Sequence, residues 1–384
     1  MVIYLGLMHD VLVDVEKRLV TFGGGCTWKE VNAEAWRYGL ATVGGSVSHT
    51  GVGGLILGGG QGVLSGQRGA AVDCLVEAEV VLADGSIVTA SETENADLFW
   101  GLRGAGASFG VVTRFTSEAF PQGRIWSGPL MFPVAKLPEL VAWTNAFVER
   151  MDERQHMLVG LTYAPPPRST PLILVQPFHN GTGKEAAGGA FKGLIELGPV
   201  VNMTSEMDYP TVNTLTDKVF AHNSRWLIRG ATVTAPLELS EWEGLSRDFF
   251  AHVDAETGQG NDMRASLLGV EIYKKDKLVS VPLGATAYTN RGMYFDVQLP
   301  ASWTDPDKDG AVRQWHGELA RRIKKGNHKG EDGGGGVGQY NNYSCVAVDV
   351  KQGFGDNAKR LVELKSKFDP ANRFVMSPWK IVAP

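Results

Sequence analysis

The sequence predicts an α+β fold, and three features of its 384 residues support this. The first 120 residues alternate apolar and polar positions in short runs separated by glycine, which is typical of strands and tight turns. From about residue 123 to 338, strand-like runs such as TPLILVQPF and RGMYFDVQL alternate with stretches that place apolar residues three and four apart. After a glycine-rich polar loop, the tail returns to a helical pattern in NAKRLVELKSKF.

The first segment begins with a predicted hairpin and a helix. VLVDVEKRLVTF, residues 11–22, alternates on both sides of Glu16 and Lys17, which indicates two paired strands. EVNAEAWRYGL then has helical spacing and reaches Gly39, a residue that commonly ends a helix.

A second hairpin and a second helix follow. In LVEAEVVLADGSIVTAS, residues 75–91, the pair Asp84–Gly85 suits a two-residue turn with positive φ. Ser91 and Glu94 have capping-box spacing ahead of NADLFWGL, a short helix that we expect to end at Gly104. GVVTRFT then predicts a strand.

In the middle and final segments, three runs have the spacing of amphipathic helices. Their apolar residues recur at three- and four-residue intervals. The runs are GKEAAGGAFKGLIELG, AVRQWHGELARRIKK and, after the polar loop GNHKGEDGGGGVG, NAKRLVELKSKF.

Composition excludes several classes of protein. A formal charge of −5 and a pI near 5.9 argue against a nucleic-acid-binding surface, and no run approaches the roughly 20 apolar residues that span a bilayer. Three widely spaced cysteines form neither a disulfide framework nor a metal motif, and eight histidines contain no HExxH, so we expect no metal site. Three glycosylation acceptor patterns leave the compartment open, and the oligomeric state is open too.

The run ATVGGSVSHTGVGGLILGGGQG, residues 41–62, contains nine glycines and no charge. Such a run exposes backbone N–H groups and lets a pyrophosphate or a flat ring approach the main chain closely. Tight β-turns are the structural alternative. His49 lies inside the run, where it could contact a ligand or only stabilise a turn.

Two other motifs lack the context that their chemistry requires. Gly333, Gly335 and Gly338 match GxGxxG, but no strand precedes them and no helix follows. GASFG, residues 106–110, matches the nucleophile elbow of serine hydrolases, yet Ser108 lies in the order helix, turn, strand instead of strand, turn, helix. We keep a serine hydrolase only as a third hypothesis.

YNNYS places Tyr340 and Tyr343 around two amides near the end of the chain. A tyrosine with a lowered pKa can act as a general base toward a substrate hydroxyl, and an asparagine can bind the polar edge of a heteroaromatic ring. The alternative is an edge strand with ordinary aromatic packing.

Taken together, the glycine run, LVEAEVVLADGSIVTASETENADLFWGLRGAGASFGVVTRF, YNNY, FGDNAKRL and DPANRF resemble the FAD-linked oxidases of the vanillyl-alcohol oxidase superfamily, in particular the berberine bridge enzyme-like group. The resemblance is specific over residues 1–120 and 338–384 and weaker between them. It implies a PCMH-type FAD-binding domain that is incomplete at its N-terminus, an inserted antiparallel-sheet substrate domain, and a C-terminal return to the flavin domain. The corresponding ranges are 1–122, 123–338 and 339–384.

The same resemblance implies roles for individual residues. Tyr343 matches the base, and Asn342 lies beside it next to the isoalloxazine ring of FAD. Val112 would lie near the adenosine end. The flavin and its diphosphate would be lined by Gly44, Gly45, Ser46, His49, Thr50, Gly51, Gly53, Gly54 and Gly58.

This chain departs from the family pattern at three places. Val47 stands where some relatives bind the flavin through a cysteine, so that bond is impossible here. The GGHS-like motif with its flavin-binding histidine, and the first flavin subdomain that contains it, are absent, which predicts a shortened version of a longer oxidase. A non-catalytic remnant is the alternative. Phe354 replaces the usual tyrosine, a change we expect to be harmless.

The resemblance implies an FAD-dependent oxidase of a small, aromatic or polycyclic metabolite. Tyr343 would take a proton from a substrate hydroxyl or stabilise its anion while a hydride leaves the neighbouring carbon, and O₂ would be the final acceptor. The candidate pocket residues of the middle segment are Trp226, Arg229, Tyr288 and Arg291, for each of which a core or surface role is the favoured alternative.

Overall fold

The computed structural model describes residues 2–217, 219, 224–327, 338–344, 349–377 and 379–383. Their buried apolar side chains form two large cores. One core consists mainly of residues up to 125 together with side chains of the C-terminal segment, and the other lies between residues 126 and 323. The predicted division at residues 122 and 338 stays a prediction, because the first core also includes side chains from between those positions, such as Phe178, Tyr209 and Tyr288.

The first part of the chain combines short strands with short helices. In chain order they are β1 (Val11–Asp14), β2 (Leu19–Gly23), α1 (Trp28–Trp36), β3 (Leu40–Ala41), α2 (Val52–Leu57), α3 (Ser65–Arg68), α4 (Ala71–Cys74), β4 (Leu75–Val81), β5 (Ile87–Ser91), α5 (Ala96–Ala105), β6 (Val111–Glu118) and β7 (Phe120–Pro121).

Five of these strands form an antiparallel sheet in the order β1-β2-β6-β4-β5. Phe22 on β2 stacks on Phe115 of β6 with ring centroids 5.8 Å apart, and Trp28 of α1 meets Phe22 edge-on at 6.1 Å. Both predicted hairpins and the helix before Gly39 are therefore confirmed.

Two local details differ from the sequence predictions. The N–H of Leu82 bonds the carbonyl of Ser86, and Gly85 alone has positive φ (+90°), so the turn has three residues rather than two. The Ser91 hydroxyl accepts the N–H of Glu94 at 3.1 Å, but α5 begins only after Asn95, which has a left-handed conformation. The serine thus closes a turn before the helix instead of capping it.

The second part contains longer strands and helices. In chain order they are β8 (Ile125–Ser127), β9 (Leu130–Pro133), α6 (Leu137–Arg150), β10 (Gln155–Tyr163), β11 (Pro171–His179), α7 (Gly183–Glu185), α8 (Lys192–Glu196), β12 (Val201–Asn202), β13 (Ser205–Met207), β14 (Arg225–Val233), α9 (Leu239–Gly258), β15 (Leu268–Tyr273), α10 (Asp276–Val279), β16 (Phe295–Trp303) and α11 (Asp309–Asn327).

The large sheet of the second part is antiparallel, with the main order β12-β9-β11-β10-β15-β16-β14. Its two faces differ, because side chains alternate along each strand. One face contributes Met157, Val175, Val270 and Val297 to the core beneath α6, α8, α9 and α11. The other face carries polar residues at the alternate positions and forms the functional site described below.

The predicted helix over residues 183–198 is interrupted. A π-helical turn, Ala186–Ala190, separates α7 from α8. This turn contains Gly188 and Gly189, which weaken a helix because glycine loses more backbone entropy than other residues on folding. The apolar spacing was sufficient to predict helical structure but not its continuity.

The C-terminal segment returns to the first core through α12 (Val350–Phe354) and α13 (Ala358–Phe368). Lys365 of α13 is fully buried, and its ammonium group donates to the Ser108 carbonyl at 2.7 Å and to Asp369 at 2.6 Å. Phe354 is also buried and packs edge-on against Trp379. A phenol hydroxyl is not needed in this apolar contact.

Within these described ranges, none of the helices has the length and apolar character needed to cross a membrane.

Candidate functional site

A cavity of about 640 Å³ lies between the glycine run and the polar face of the large sheet. It has the size of a typical small-molecule site. The glycine-run wall contributes Gly45, Ser46, Val47, His49, Thr50, Gly51, Gly54, Leu55, Gln61 and Val63. The opposite wall and the end contribute His156, Leu158, Gln176, Phe178, Thr216, Ser224, Trp226, Ile228, Glu271, Gln298, Tyr340, Asn342 and Tyr343.

The glycine-run wall has space for a flat ligand. A Cβ atom added to Gly51 or Gly54 would meet no atom within 4 Å, and both residues line the cavity. A side chain there would therefore occupy space that the backbone leaves open. This geometry fits a large planar group such as the ring of FAD lying against the main chain.

Four residues predicted to bind the cofactor do not line this cavity. A Cβ on Gly44 would overlap the Trp28 ring, so this glycine allows the indole to pack against the main chain. A Cβ on Gly53 would be 3.5 Å from a backbone oxygen, and Val112 lies in the core on β6. Gly58 is the fourth. Cofactor contacts of these residues remain predictions.

Gly58 makes room for Asn342. A Cβ on Gly58 would overlap the Asn342 amide oxygen, and the amide nitrogen donates to the Leu55 carbonyl at 2.8 Å and to the Tyr340 hydroxyl at 3.0 Å. The same hydroxyl accepts the N–H of Gln61 at 2.9 Å. The C-terminal turn Asn341–Tyr343 is thereby fixed to the glycine run.

Tyr343 ends this turn and projects onto the polar face of the sheet. Its hydroxyl donates to Glu271 Oε1 at 2.5 Å, and the Gln298 side chain donates to the same oxygen at 3.0 Å. Glu271 lies on β15 and Gln298 on β16, both at alternate positions that face the cavity. Two donors on one carboxylate oxygen hold the charged form of Glu271 in place.

The pKa values of this pair are both raised. Burial raises the pKa of Glu271 to about 7, with the Tyr343 hydrogen bond opposing that change and the neighbouring Asp296 adding to it. Burial and the Glu271 charge raise the pKa of Tyr343 well above its usual value of 10. A tyrosine with a lowered pKa can act as a base, but here burial first, and then the nearby carboxylates, disfavour a phenolate. The role of Tyr343 as the base stays a prediction.

A buried ion pair lies behind Glu271. Asp296 is paired with Glu271 across the two strands, and the Lys275 ammonium lies 3.3 Å from Asp296 Oδ2. Asn290 donates to the other Asp296 oxygen at 2.8 Å. The positive charge of Lys275 offsets the negative charge of Asp296. The pKa of Glu271 is therefore lower than it would be if Asp296 had no lysine beside it.

His156 is the other titratable group on the sheet wall. It stacks on Tyr273 with ring centroids 5.6 Å apart, and burial lowers its pKa to about 3. Its imidazole is therefore neutral at pH 7 and can donate or accept a hydrogen bond from the cavity wall.

Sequence reasoning did not identify Glu271 or Gln298. A signal was present: Glu271 is the one charged residue in LGVEIY, a strand whose residues are all buried. A carboxylate in such a strand needs a partner, because an uncompensated buried charge is costly. That partner, Tyr343, is 72 residues away in sequence.

The four candidate pocket residues of the middle segment lie in different environments. Trp226 lines the cavity, whereas Arg229 faces a separate space of about 470 Å³ on the other side of Tyr343. Tyr288 is buried and accepts a hydrogen bond from Gln61 at 2.6 Å. Arg291 is buried and pairs with Asp73 at 2.5 Å, which joins the two parts of the chain.

Ser108 is buried at 1 % exposure, and its hydroxyl has no hydrogen-bond partner among the residues that the structure describes. It lies in the turn Gly106–Ser108 between α5 and β6, in the order helix, turn, strand. Its hydroxyl bonds no histidine, lysine or carboxylate among the described residues, so the geometry does not support a serine hydrolase.

Family models match both ends of the chain. The model described as "FAD binding domain" matches residues 1–91, and the model described as "Berberine and berberine like" matches residues 339–378. FAD-linked oxidoreductase pgmH of Aspergillus terreus is 33% identical over 407 residues, covering 100% of this chain and 79% of the relative. An FAD-linked oxidoreductase of Dictyostelium discoideum is 26% identical, covering 96% and 76%. The chain belongs to the berberine bridge enzyme-like FAD-linked oxidoreductases, and its cofactor is FAD.

Solved structures share the fold. Physcomitrella patens BBE-like 1 superposes with a TM-score of 0.82 at 18% identity, over 99% of this chain and 80% of that one. A chitooligosaccharide oxidase superposes with a TM-score of 0.78 at 21% identity, over 99% and 81%. The predicted α+β, PCMH-type fold is confirmed.

Proposed function

We propose that this FAD-linked oxidoreductase oxidises a hydroxyl-bearing, uncharged aromatic or polycyclic metabolite and that O₂ is the final electron acceptor. The observation that carries the proposal is the short Tyr343–Glu271 hydrogen bond at the end of a cavity whose other wall leaves open space at Gly51 and Gly54. The names of relatives support redox chemistry with FAD, and the chitooligosaccharide oxidase shares the fold.

Residues of this chain accept the proton that the substrate hydroxyl loses. A substrate hydroxyl that donates to the Tyr343 oxygen loses its proton to that oxygen, while the phenol proton passes to Glu271 Oε1. The carbon bearing the hydroxyl becomes a carbonyl carbon as its hydride leaves with two electrons. Bound FAD supplies the acceptor for that hydride. Glu271 thus ends protonated, which its pKa near 7 makes inexpensive at neutral pH.

The lining supports the charge and shape of the substrate. Among the described residues that line the cavity there is no lysine or arginine, whereas Glu271 contributes a carboxylate. An anionic substrate would enter this space without a partner for its charge, which is unfavourable. Phe178 and Trp226 provide aromatic surfaces, and Gln176 and the neutral His156 provide hydrogen bonds, as a hydroxylated ring system needs.

A visible spectrum and a peroxide assay test the proposal. We expect purified protein to be yellow, with the absorbance of oxidised flavin, and to release hydrogen peroxide with a panel of uncharged aromatic alcohols whose hydroxyl-bearing carbon also carries a hydrogen. Matched carboxylated analogues should react at least tenfold more slowly. Colourless protein that does not take up added FAD would contradict the proposal, and equal rates with the carboxylated analogues would contradict the substrate class alone.

A further inference from the structure

A segment of the second part of the chain reaches back to the glycine run. Residues Tyr209–Thr214 form a 3₁₀ turn, and side chains from this turn and from the residues after it contact residues 45–48. The partners are 168 to 170 residues apart in sequence. These contacts therefore join the sheet-bearing part of the chain to the wall on which a flat ligand fits.

Two of the contacts bind backbone carbonyls of the run. The Asn213 amide nitrogen donates to the carbonyl of Gly45, and the Thr216 hydroxyl donates to the carbonyl of Ser46 at 3.2 Å. Asn213 is 2 % exposed and Thr216 is 8 % exposed, so water does not replace these bonds easily. Thr216 also lines the cavity itself.

Among these contacts with residues 45–48, the one made by Asp217 involves a carboxylate. Its carboxylate accepts the Ser48 hydroxyl at 2.7 Å and the Ser48 N–H at 3.3 Å. The Ser48 N–H also lies 2.9 Å from the carbonyl oxygen of Asn213. Ser48 is 3 % exposed. Hydrogen bonds to an ionised acceptor are stronger than those between neutral groups, so Asp217 makes the largest single contribution.

Helix α1 holds the same run from its other side. The N–H of Lys29 donates to the Ser48 carbonyl at 2.9 Å, and the N–H of Trp28 donates to the Thr50 carbonyl at 3.0 Å. The Ser48 and Thr50 carbonyls therefore both have hydrogen-bond donors from α1. The surface presented to the cavity is the remaining side of Gly45, Ser46, Val47, His49, Thr50 and Gly51.

We propose that Asn213, Thr216 and Asp217, here called the clamp, are positioning residues for the cofactor wall. A glycine-rich chain has many accessible conformations, and each must be given up when a ligand binds. The clamp holds the glycine run in one of these conformations before FAD binds. The entropy cost of ordering the run is therefore not part of the binding free energy. This inference rests on the proposed role of residues 45–54 in holding FAD. It implies that FAD affinity depends on how the second part of the chain docks.

The test compares Asp217→Ala and Thr216→Val with the wild-type full chain. Amide hydrogen exchange of a peptide covering residues 44–50 should be about tenfold faster in Asp217→Ala, because one charged contact is lost. The visible circular dichroism of bound FAD should change, and FAD should bind the apoprotein roughly tenfold more weakly. Thr216→Val keeps the side-chain shape, so it should show the same changes at smaller amplitude. Asp217→Asn should fall between the wild type and Asp217→Ala.

Asn180→Ala is the matched control. Asn180 also joins the two parts of the chain, through Gln67 at 2.6 Å and Gln122 at 2.7 Å, but none of these residues lines the cavity. This variant should lower the unfolding temperature while leaving exchange over residues 44–50 and the flavin dichroism as in the wild type.

The outcomes separate the two proposals. A yellow wild type in which Asp217→Ala leaves both exchange and flavin dichroism unchanged would overturn the clamp alone. Equal effects of Asn180→Ala and Asp217→Ala on the dichroism would also overturn it, because any loss of docking would then suffice. A wild type that takes up no FAD would overturn the proposed function and, with it, the clamp's role toward a cofactor.

Discussion

The Tyr343 hydroxyl donates to Glu271 Oε1 at 2.5 Å, and this contact joins the C-terminal segment to strand β15 of the large sheet. It combines a phenol that stays protonated at neutral pH with a carboxylate whose pKa is near 7. In the proposed reaction Tyr343 is a proton carrier, and Glu271 is the group whose ionisation decides whether the carrier can work.

Replacing Tyr343 with phenylalanine should abolish proton transfer without unfolding the protein. We expect turnover to fall by about 10²-fold or more, the usual contribution of a positioned acid or base. Steady-state peroxide release measures it. Tyr163→Phe is the control, since it removes a buried hydroxyl that bonds Asp254 outside the cavity. Comparable losses in both variants would contradict the assigned role of Tyr343.

The rate should depend on pH through Glu271. Only the carboxylate can accept the phenol proton, so kcat/KM should rise as pH increases through about 7 and level off above it. Glu271→Gln should reduce the rate and remove this limb of the profile. If the limb persists in Glu271→Gln, another group controls it.

The same pKa shift predicts an effect on stability. A carboxyl whose pKa is higher in the folded than in the unfolded protein favours folding below its unfolded pKa, near 4.5, and loses that contribution as pH rises through about 7. At pH 8 the ionised Glu271 is buried at a cost, so Glu271→Gln should raise the unfolding temperature there. At pH 4 the two proteins should unfold at nearly the same temperature. Thermal unfolding at both pH values measures the difference.

Lys275→Met should shift the pH profile and destabilise the fold. Without the ammonium group, the positive charge that lowers the pKa of Glu271 is lost, so that pKa rises and the rising limb moves to higher pH. Breaking a buried ion pair costs about 3–5 kcal/mol of unfolding free energy. The double variant Lys275→Met/Asp296→Asn should recover part of that loss and return the limb toward its original position. An unchanged limb in the single variant would rule out this tuning.

Gly54→Ala should separate folding from cofactor binding. The added methyl meets no protein atom within 4 Å, and alanine favours α2 by up to about 1 kcal/mol, so the apoprotein should be as stable as the wild type or more stable. The methyl nevertheless enters the cavity, and FAD binding should weaken. Gly58→Ala is the contrasting variant, because its methyl would displace Asn342 and should lower apoprotein stability. Unimpaired FAD binding by Gly54→Ala would show that the flavin does not lie against this residue.

Local patterns predicted much of the fold, because strand alternation and helix spacing depend on neighbouring residues. The hairpin of β1 and β2, the hairpin of β4 and β5, and helices α11 and α13 follow from such patterns. The break between α7 and α8 did not, since apolar spacing continues through it. Tyr343 was found through a motif, whereas Glu271 was missed because its role depends on the distant placement of β15 against the C-terminal turn.

Composition also could not distinguish two uses of glycine. Gly54 leaves space in the cavity, but Gly44 lies against Trp28 and Gly58 against Asn342. At Gly44 and Gly58 the missing side chain lets a partner residue approach closely, whereas Gly54 has no such partner within 4 Å. Tertiary packing determines that partner, so it cannot be predicted from the number of glycines.

The order of the chain has a consequence for biosynthesis. The glycine-run wall leaves the ribosome before the large sheet, while the turn Asn341–Tyr343 emerges only after the whole of that sheet. Until that turn has emerged, its hydrogen bonds to the glycine run cannot form and nothing places the phenol against its carboxylate. A nascent chain can therefore complete its cofactor wall once residues 213–217 have emerged, before the phenol of the proposed chemistry is present.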